Sequence, residues 1–297
     1  MSRHIPHPVF RFFLLLFGVM CGSTAVILIK ASDEHPFLVA SYRLLLASAI
    51  LFPFFLRDLR DYPGYGWRQL SWTFLPAAAL AVHFMSWVVG ARMTPVANAS
   101  LIANLTPVAM PFFVWLFFQE RVNRVEIFGT FLTLTGLILL TGFTFRINPE
   151  HFRGNLICFG SMLAFAAYLA LGRRNGGRIS LWLYMVPLYF FAGLISLITA
   201  TFWINPLKPY TLSNILYILA LAIVPTVGGH TILNYSLKFF RGQVVSVTNL
   251  TQPIFATILG YLVFQEKPAP LFYLAAGIMM IGILIVLQGS RLHQVTR

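Results

Sequence analysis

Charged residues are scarce in this chain of 297 residues: they make up 10% of it, whereas hydrophobic residues make up 58%. Soluble globular domains carry about 25% charged residues, so a chain this apolar cannot cover its own surface in water. Lipid must be the solvent for most of it. The few acidic residues all lie at or beyond the ends of apolar runs. A proton relay or a sodium site built on a mid-membrane carboxylate therefore has no candidate.

Cysteines and catalytic motifs are also scarce. The two cysteines, Cys21 and Cys158, both lie inside apolar runs, which excludes a disulfide framework. The chain has no Gly-x-Ser-x-Gly, no His-Glu-x-x-His and no glycine loop of the phosphate-binding kind. We therefore predict that the protein is not an enzyme and that it binds neither a cofactor nor a metal ion.

Basic residues outnumber acidic ones, which gives a formal net charge of +13. They are spread over many short loops with no single basic face, a pattern that argues against a nucleic-acid partner. If the N-terminus is inside, more than twice as many Lys and Arg residues fall in inner segments as in outer ones. This excess predicts an inner-membrane protein with both termini in the cytoplasm.

Ten apolar runs are long enough to cross about 30 Å of hydrocarbon as helices. Their approximate limits are 12–29, 37–56, 72–91, 95–118, 125–143, 154–172, 180–203, 212–236, 243–264 and 269–289. The first run imitates a signal peptide, but it continues beyond signal length to Ile29 without a clear cleavage site. We interpret it as the first membrane helix.

Two stretches of the chain match each other at an offset of 146 residues. The matching pairs include Ser100/Ser246, Pro107/Pro253, Leu116/Leu262, Phe118/Phe264, Gln119/Gln265, Glu120/Glu266 and Gly136/Gly282. So many matches in register indicate an internal duplication. A second register, at an offset of 145, aligns Asn104 with Asn249 instead, and the sequence leaves the choice open.

The duplication predicts two repeats, residues 1–146 and 147–297, with five helices each. Because five is odd, the second repeat enters the membrane from the opposite side to the first. Two inverted repeats can exchange conformations and so open a central site to each side in turn. We therefore expect an all-α polytopic membrane protein with ten transmembrane helices, arranged as a 5+5 inverted-topology repeat around a central cavity.

Three motifs resemble those of a known family. The second run, from Pro36-Phe37 through Arg43 to Ala47, resembles the Pro-Phe…Arg-x-x-x-Ala signature of EamA-type proteins in the drug/metabolite transporter superfamily. The fourth run, with Pro107 and a closing Glu120, is similar to that family's fourth helix. Ala166-Ala167-Tyr168, which leads to Arg173-Arg174, resembles its sixth, although Phe165 stands where that family commonly has Trp. The resemblance implies ten helices in a five-plus-five inverted repeat and the export or exchange of small metabolites.

Polar side chains inside apolar runs are costly, so each is a candidate for a function. His83, Ser86 and Trp87 share one face of the third run. Further candidates for substrate binding are Asn98 and Asn104 in the fourth run, Tyr168 in the sixth, His230, Asn234 and Tyr235 in the eighth, and Asn249 and Gln252 in the ninth. For all of them, hydrogen bonding between helices stays open as the alternative.

Arg43 is the one clearly intramembrane cation of the sequence. It is a candidate for binding a substrate carboxylate, and the alternative is a structural role at a helix end. Glu120 and Glu266 close two equivalent helices, where they are expected to be structural or to act as gate residues. If transport is coupled to protons, His83 or His230 must carry the proton. We favour a facilitator or an exchanger.

These observations predict a monomeric membrane transporter of small organic metabolites, with amino acids or related amphipathic compounds as the favoured cargo. The expected partners are the small-molecule substrate and the lipid bilayer. An intramembrane lipid-handling protein or enzyme is the alternative, and a membrane sensor or chaperone is a third hypothesis.

Overall fold

The computed structural model describes residues 8–141, 149–175, 178–255, 257–258 and 270–295. Over these ranges the secondary structure is helical, and no strand occurs in them. The predicted corner at Gln265, Glu266 and Lys267 lies outside the described residues, as does the last part of the ninth run.

Residues 8–141 form eight helices. They are α1 (Pro8–Ser23), α2 (Ala25–Ala31), α3 (Pro36–Arg60), α4 (Trp67–Ser71), α5 (Phe74–Met93), α6 (Val96–Ala103), α7 (Thr106–Phe118) and α8 (Arg124–Thr141). The later residues form α9 (Pro149–Asn175), α10 (Leu181–Thr201), α11 (Leu212–Leu221), a π-helical segment (Ala222–His230), α12 (Thr231–Ser236), α13 (Gly242–Asn249) and α14 (Pro270–Val295). Residues 252–255 are also helical.

Eight helical stretches of the described residues are long and apolar enough to cross a membrane. They are Val9–Ala31, Pro36–Arg60, Trp67–Met93, Leu101–Phe118, His151–Arg173, Leu181–Thr201, Leu212–Ser236 and Pro270–Ser290. Large apolar side chains cover the outer faces: Phe13 is 63% exposed, Phe131 68% and Leu274 60%. Such a surface suits contact with lipid, so the chain is a multi-pass membrane protein. The predicted count of ten spans stays a prediction.

Local sequence explains where several helices begin. Ser180 accepts a hydrogen bond from the Trp182 amide at 3.3 Å and caps α10. Asn123 and Glu126 form a reciprocal pair at the start of α8, because each side chain accepts a hydrogen bond from the other's backbone amide, at 2.8 and 2.9 Å. The His35 ring accepts from the Phe37 amide before α3. Burial lowers the pKa of His35, which keeps its ring neutral and able to accept this bond.

Helices from the two predicted repeats pack against each other in pairs. These pairs include α3 with α10, α5 with α9, α7 with α13, α8 with α14, and α1 with the π-helical segment. The α8–α14 crossing is lined by glycines. A Cβ atom on Gly282 would lie 2.7 Å from the Gly129 carbonyl oxygen, so only glycine fits there. Gly277 of α14, by contrast, has open space around it.

Candidate substrate-binding cavity

A cavity of about 410 Å³ lies between residues of both predicted repeats. Its wall is formed by Gly22, Ser23, Ala25, Val26, Arg43, His83, Phe84, Trp87, Ala103, Asn104, Met162, Phe165, His230, Leu233, Asn249, Gln252, Pro253 and Thr257. Seven residues singled out in the sequence are therefore brought together: Arg43, His83, Trp87, Asn104, His230, Asn249 and Gln252. This volume lies in the range of sites for small organic ligands.

Two helix breaks supply one polar part of the wall. The chain turns between α6 and α7, where the Thr106 hydroxyl donates to the Ala103 carbonyl at 2.7 Å. It turns again after α13, where the Thr251 hydroxyl donates to the Thr248 carbonyl at 2.8 Å. The helix ends at Ala103 and Asn249, and the restarts at residues 106 and 252, correspond at an offset of 146, whereas the two threonine bonds correspond at 145. Asn104 and Asn249 lie at these breaks, and both line the cavity.

Asn249 and Gln252 act together across the second break. The Gln252 side-chain amide donates a hydrogen bond to the Asn249 side-chain oxygen at 2.8 Å. Gly22 of α1 leaves room for this pair, since a Cβ atom there would lie 3.3 Å from the Gln252 amide nitrogen. The side-chain amides of Asn249 and Gln252, in the predicted second repeat, therefore lie beside the Gly22 backbone of the predicted first repeat.

Ser161 of α9 holds the His83 ring. The Ser161 hydroxyl lies 2.9 Å from His83 Nδ1 and also donates to the His83 carbonyl at 2.9 Å. His83 Nδ1 is 3.1 Å from the Ser161 carbonyl oxygen, which can only accept a hydrogen bond. Nδ1 therefore carries a hydrogen in this arrangement, and Nε2 of the neutral ring is left as an acceptor.

Aromatic rings surround His230 on the apolar part of the wall. Phe84 lies 4.8 Å from the His230 ring centroid, Phe165 5.6 Å and His83 6.1 Å. Phe165 also stacks on His83 with centroids 4.7 Å apart. The position at which the family motif has Trp is thus occupied by a ring that forms part of the cavity wall.

The π-helical segment Ala222–His230 positions His230. Pro225 lies within this segment, lacks a backbone N–H and interrupts the α-helical bonding pattern. Each π-type turn takes in one residue more than an α-type turn. This widening accounts for a mismatch seen in the sequence: at an offset of 146, His83 corresponds to Gly229, one residue before His230.

Arg43 is fully buried at the cavity wall. Its Nε–H donates a hydrogen bond to the Thr226 hydroxyl at 2.9 Å, and its guanidinium carbon lies 4.1 Å from the Phe84 ring centroid. Neither terminal nitrogen has a hydrogen-bond partner within the described part of the chain. The side chain is therefore inside the protein, and it neither snorkels to the membrane surface nor caps a helix.

Tyr168 and Asn234 lie behind the cavity wall. The Asn234 side-chain amide donates to the Tyr168 hydroxyl and to the His230 carbonyl, the latter at 2.9 Å. Both residues are buried, and the Tyr168 ring lies 6.2 Å from that of His230. Their contacts support the backbone and the ring of His230.

Ser86, Asn98 and Tyr235 are not part of the wall. The Ser86 hydroxyl donates to carbonyls of its own helix, at Val82 and His83. The Asn98 amide lies 3.5 Å from the side-chain oxygen of Asn155 on α9, and the Tyr235 ring packs edge-on against Phe239 at 5.2 Å.

Several wall residues were not singled out in the sequence as binding residues. They are Phe165, Met162, Leu233, Ser23 and Thr257. The sequence did draw attention to Phe165, because it stands next to Ala166 at a position where the family commonly has Trp. The others are small or apolar, and nothing in a single sequence separates them from residues that pack between helices.

Ion pairs join the predicted repeats at two places away from the cavity. Arg241, just before α13, pairs with Glu126 of α8 at 2.6 Å, and its Nε lies 3.9 Å from Glu120. The Glu126 side chain is fully buried and that of Arg241 is 5% exposed. At the second place, Lys208 pairs with Glu34 at 2.7 Å. Within the ranges that the structure describes, no group of His, Cys, Asp and Glu side chains could hold a metal ion.

Comparison with known proteins gives a consistent result. The sequence matches the model of the EamA-like transporter family twice, over residues 10–142 and 152–288. It is 26% identical to an uncharacterized transporter of Archaeoglobus fulgidus, over 93% of this chain and 95% of that protein. It is 20% identical to solute carrier family 35 member G1 of Mus musculus, over 90% of this chain and 75% of that protein. A solved crystal structure with 18% identity has a similar fold, with a TM-score of 0.77 over 96% of this chain and 99% of that one.

Proposed function

The chain belongs to the EamA-like transporter family, and from that premise we propose that it carries small amphipathic organic metabolites across the membrane by alternating access of two inverted repeats. Amino acids or related compounds are the proposed cargo. The observation that carries the proposal is the cavity, whose wall combines residues 22–104 of the first repeat with residues 162–257 of the second. A site shared in this way changes its access when one repeat moves against the other.

The helix pairing supports a twofold relation between the repeats. In terms of the ten predicted runs, the second pairs with the seventh, the fourth with the ninth and the fifth with the tenth. A twofold rotation that exchanged the two repeats would put each helix of such a pair in the place of its partner, so the pair would be preserved. The same rotation would put the third run in the place of the eighth and the sixth in the place of the first. It therefore predicts that the third run contacts the sixth and that the first contacts the eighth, and both contacts occur. We propose residues 1–146 and 147–297 as the two repeats.

The wall also supports an amphipathic cargo. Asn104, Asn249 and Gln252 present amide groups, while Trp87 and Phe165 present aromatic surface. Helix breaks near the middle of the membrane are typical places for substrate binding in transporters with inverted repeats. We propose that the amides bind the polar end of the cargo and that the rings of Trp87, Phe165 and His230 contact its apolar body.

Other candidate residues receive supporting roles in this proposal. Tyr168 and Asn234 hold His230 in place, and Ser86, Asn98 and Tyr235 contribute to helix packing. The protein is proposed to lie in the cytoplasmic membrane as a monomer with both termini inside, as its Lys and Arg distribution indicates. Transport is proposed to be facilitated diffusion or exchange.

Flux into proteoliposomes tests this proposal. Purified protein is reconstituted, and uptake of radiolabelled phenylalanine, leucine and 3-phenylpropionate is measured with and without the same compound inside the vesicles. We expect saturable uptake above that of protein-free vesicles for at least one compound. Trp87→Ala should lower this uptake about 10-fold or more, since a buried aromatic contact is lost. No flux of any compound in either direction would contradict the proposal.

Trp115→Ala provides the matched control for Trp87→Ala. Trp115 is 45% exposed on α7 and is not part of the cavity wall, whereas Trp87 is 9% exposed and lines the cavity. The same substitution at Trp115 should leave the uptake of the transported compound within about twofold of the wild-type value. Equal losses in the two variants would show that the cavity is not the transport site.

A further inference from the structure

We propose that Arg43 is the anion-binding residue of the cavity and that the transported species is a small organic monoanion, a carboxylate with an apolar or aromatic body. This inference rests on the proposed function and narrows it, since it favours a carboxylate without an ammonium group over a zwitterionic amino acid.

The first step is the state of the Arg43 side chain. A guanidinium carries five N–H donors, and the hydrogen bond from Nε to Thr226 uses only one of them. Both terminal nitrogens are buried without a hydrogen-bond partner among the described residues. A buried cation without an anionic partner is unfavourable, and the Phe84 ring face at 4.1 Å compensates the charge only in part.

The second step is the lack of a protein carboxylate for Arg43. No Asp or Glu belongs to the cavity wall that the described residues form. The salt bridges of the described chain use Arg57, Lys208 and Arg241, and none of them includes Arg43. The charge of Arg43 is therefore available to an anion that enters the cavity, and a low dielectric strengthens that attraction.

The third step separates anions from zwitterions. A buried ammonium group is compensated best by a carboxylate, and no Asp or Glu belongs to the wall that the described residues form. The cation of Arg43 repels a second positive charge in the same cavity. A monoanion gains the attraction of Arg43 without this penalty.

Thr226 is a positioning residue for Arg43. Its hydroxyl accepts from Arg43 Nε and donates to the Leu221 carbonyl at 2.7 Å, which ties the guanidinium to the π-helical segment. The Tyr189 hydroxyl donates to the Thr226 carbonyl at 3.2 Å and so anchors the same segment to α10. With Nε held in this way, the two terminal N–H groups form the fork that matches a carboxylate.

Four probes with the same aromatic body test the inference: 3-phenylpropionate, phenylalanine, phenethylamine and the neutral 3-phenylpropanamide. Binding to the full chain in detergent is measured together with flux in proteoliposomes. We expect 3-phenylpropionate to bind most tightly. Arg43→Gln should weaken its binding about 30-fold or more, as for a lost buried charge partner. Arg43→Lys should weaken it less, and Arg43→Gln should leave 3-phenylpropanamide binding unchanged.

Thr226→Val keeps the charge and shape of the site but removes the bond to Nε. It should weaken 3-phenylpropionate binding about 5-fold and leave 3-phenylpropanamide unchanged, which gives a second test if Arg43→Gln does not fold. Wild-type affinity for 3-phenylpropionate in either variant, or preferential binding of phenethylamine or phenylalanine, would overturn the inference. Flux that persists unchanged in Arg43→Gln leaves the transport proposal standing while this inference fails. If no probe moves at all, both fail.

Discussion

His83 and Arg43 are polar side chains buried at the cavity wall, and each is held by a hydroxyl from a distant part of the chain. Ser161 holds His83 and Thr226 holds Arg43. In lipid, a polar side chain without such a partner would be unfavourable, so these contacts fix both side chains in one orientation. The hydroxyls thus determine which polar groups the cavity presents.

Single-residue candidates could be predicted only in part from the sequence. Polarity inside apolar runs pointed to His83, Asn104 and Asn249, and all three lie at the cavity wall, while their role in substrate binding stays a prediction. The same inference could not tell that His83 lines the cavity and Ser86 does not, since both residues share a helical face. Ser86 satisfies its hydroxyl within its own helix, and only the structure shows that. The partner of Arg43 also could not be foreseen from a single sequence.

The buried ion pair between Glu126 and Arg241 gives a prediction at the residue scale. Glu126→Gln removes the buried charge that compensates Arg241, so we expect the free energy of unfolding to fall by about 3 kcal/mol. Arg57→Gln is the control, because the Arg57 side chain is 62% exposed and its pair with Asp58 contributes below about 1 kcal/mol. Thermal unfolding in detergent, followed by tryptophan fluorescence, measures both. Equal losses would show that the buried pair is no more important than a surface pair.

Irregular helical segments supply three polar side chains of the cavity wall. The break between α6 and α7, the break after α13 and the π-helical segment bring Asn104, Asn249 and His230 to one place. The regular helices follow from the apolar runs and could be predicted, whereas the count of ten spans stays a prediction. Pro107 and Pro253 indicated that local backbone bonding would be interrupted. The π-type winding was not predicted from the sequence; in the structure its Thr226 contacts α3 and α10.

The glycine-lined crossing of α8 and α14 gives a prediction at the scale of elements. Gly282→Ala places a methyl group 2.7 Å from the Gly129 carbonyl oxygen and from the Thr133 amide nitrogen. We expect it to destabilise the protein by about 2 kcal/mol, because backbone atoms cannot move aside easily. Thermal unfolding in detergent measures the change.

Gly277→Ala is the matched control on the same helix. No atom lies within 4 Å of a Cβ atom there, so the better helix propensity of alanine should leave stability unchanged or raise it by up to about 1 kcal/mol. A loss as large as that of Gly282→Ala would mean that α14 does not pack on α8 in this way.

At the scale of the whole molecule, we propose that the fold rests on an internal duplication. The family model matches the chain twice, and the helix pairs that cross between residues 8–141 and residues 149–295 have the pattern expected of a twofold relation. The predicted duplication rests on the sequence, where Pro107, Gly136 and their counterparts have the same spacing. The cavity between the repeats could be expected on that basis, but its wall could not, because apolar residues such as Met162 and Leu233 carry no signal of their own.

The opposite orientation of the two repeats is the central claim, and thiol labelling from each side of the membrane tests it most directly. Both native cysteines are buried, and they are replaced by alanine before Gln119→Cys or Gln265→Cys is introduced. A maleimide that cannot cross the membrane is applied to intact spheroplasts and to inside-out vesicles. We predict that Cys at position 119 reacts only from the cytoplasmic side and Cys at position 265 only from the outside. Reaction of both from the same side would contradict the inverted repeat and the alternating access built on it.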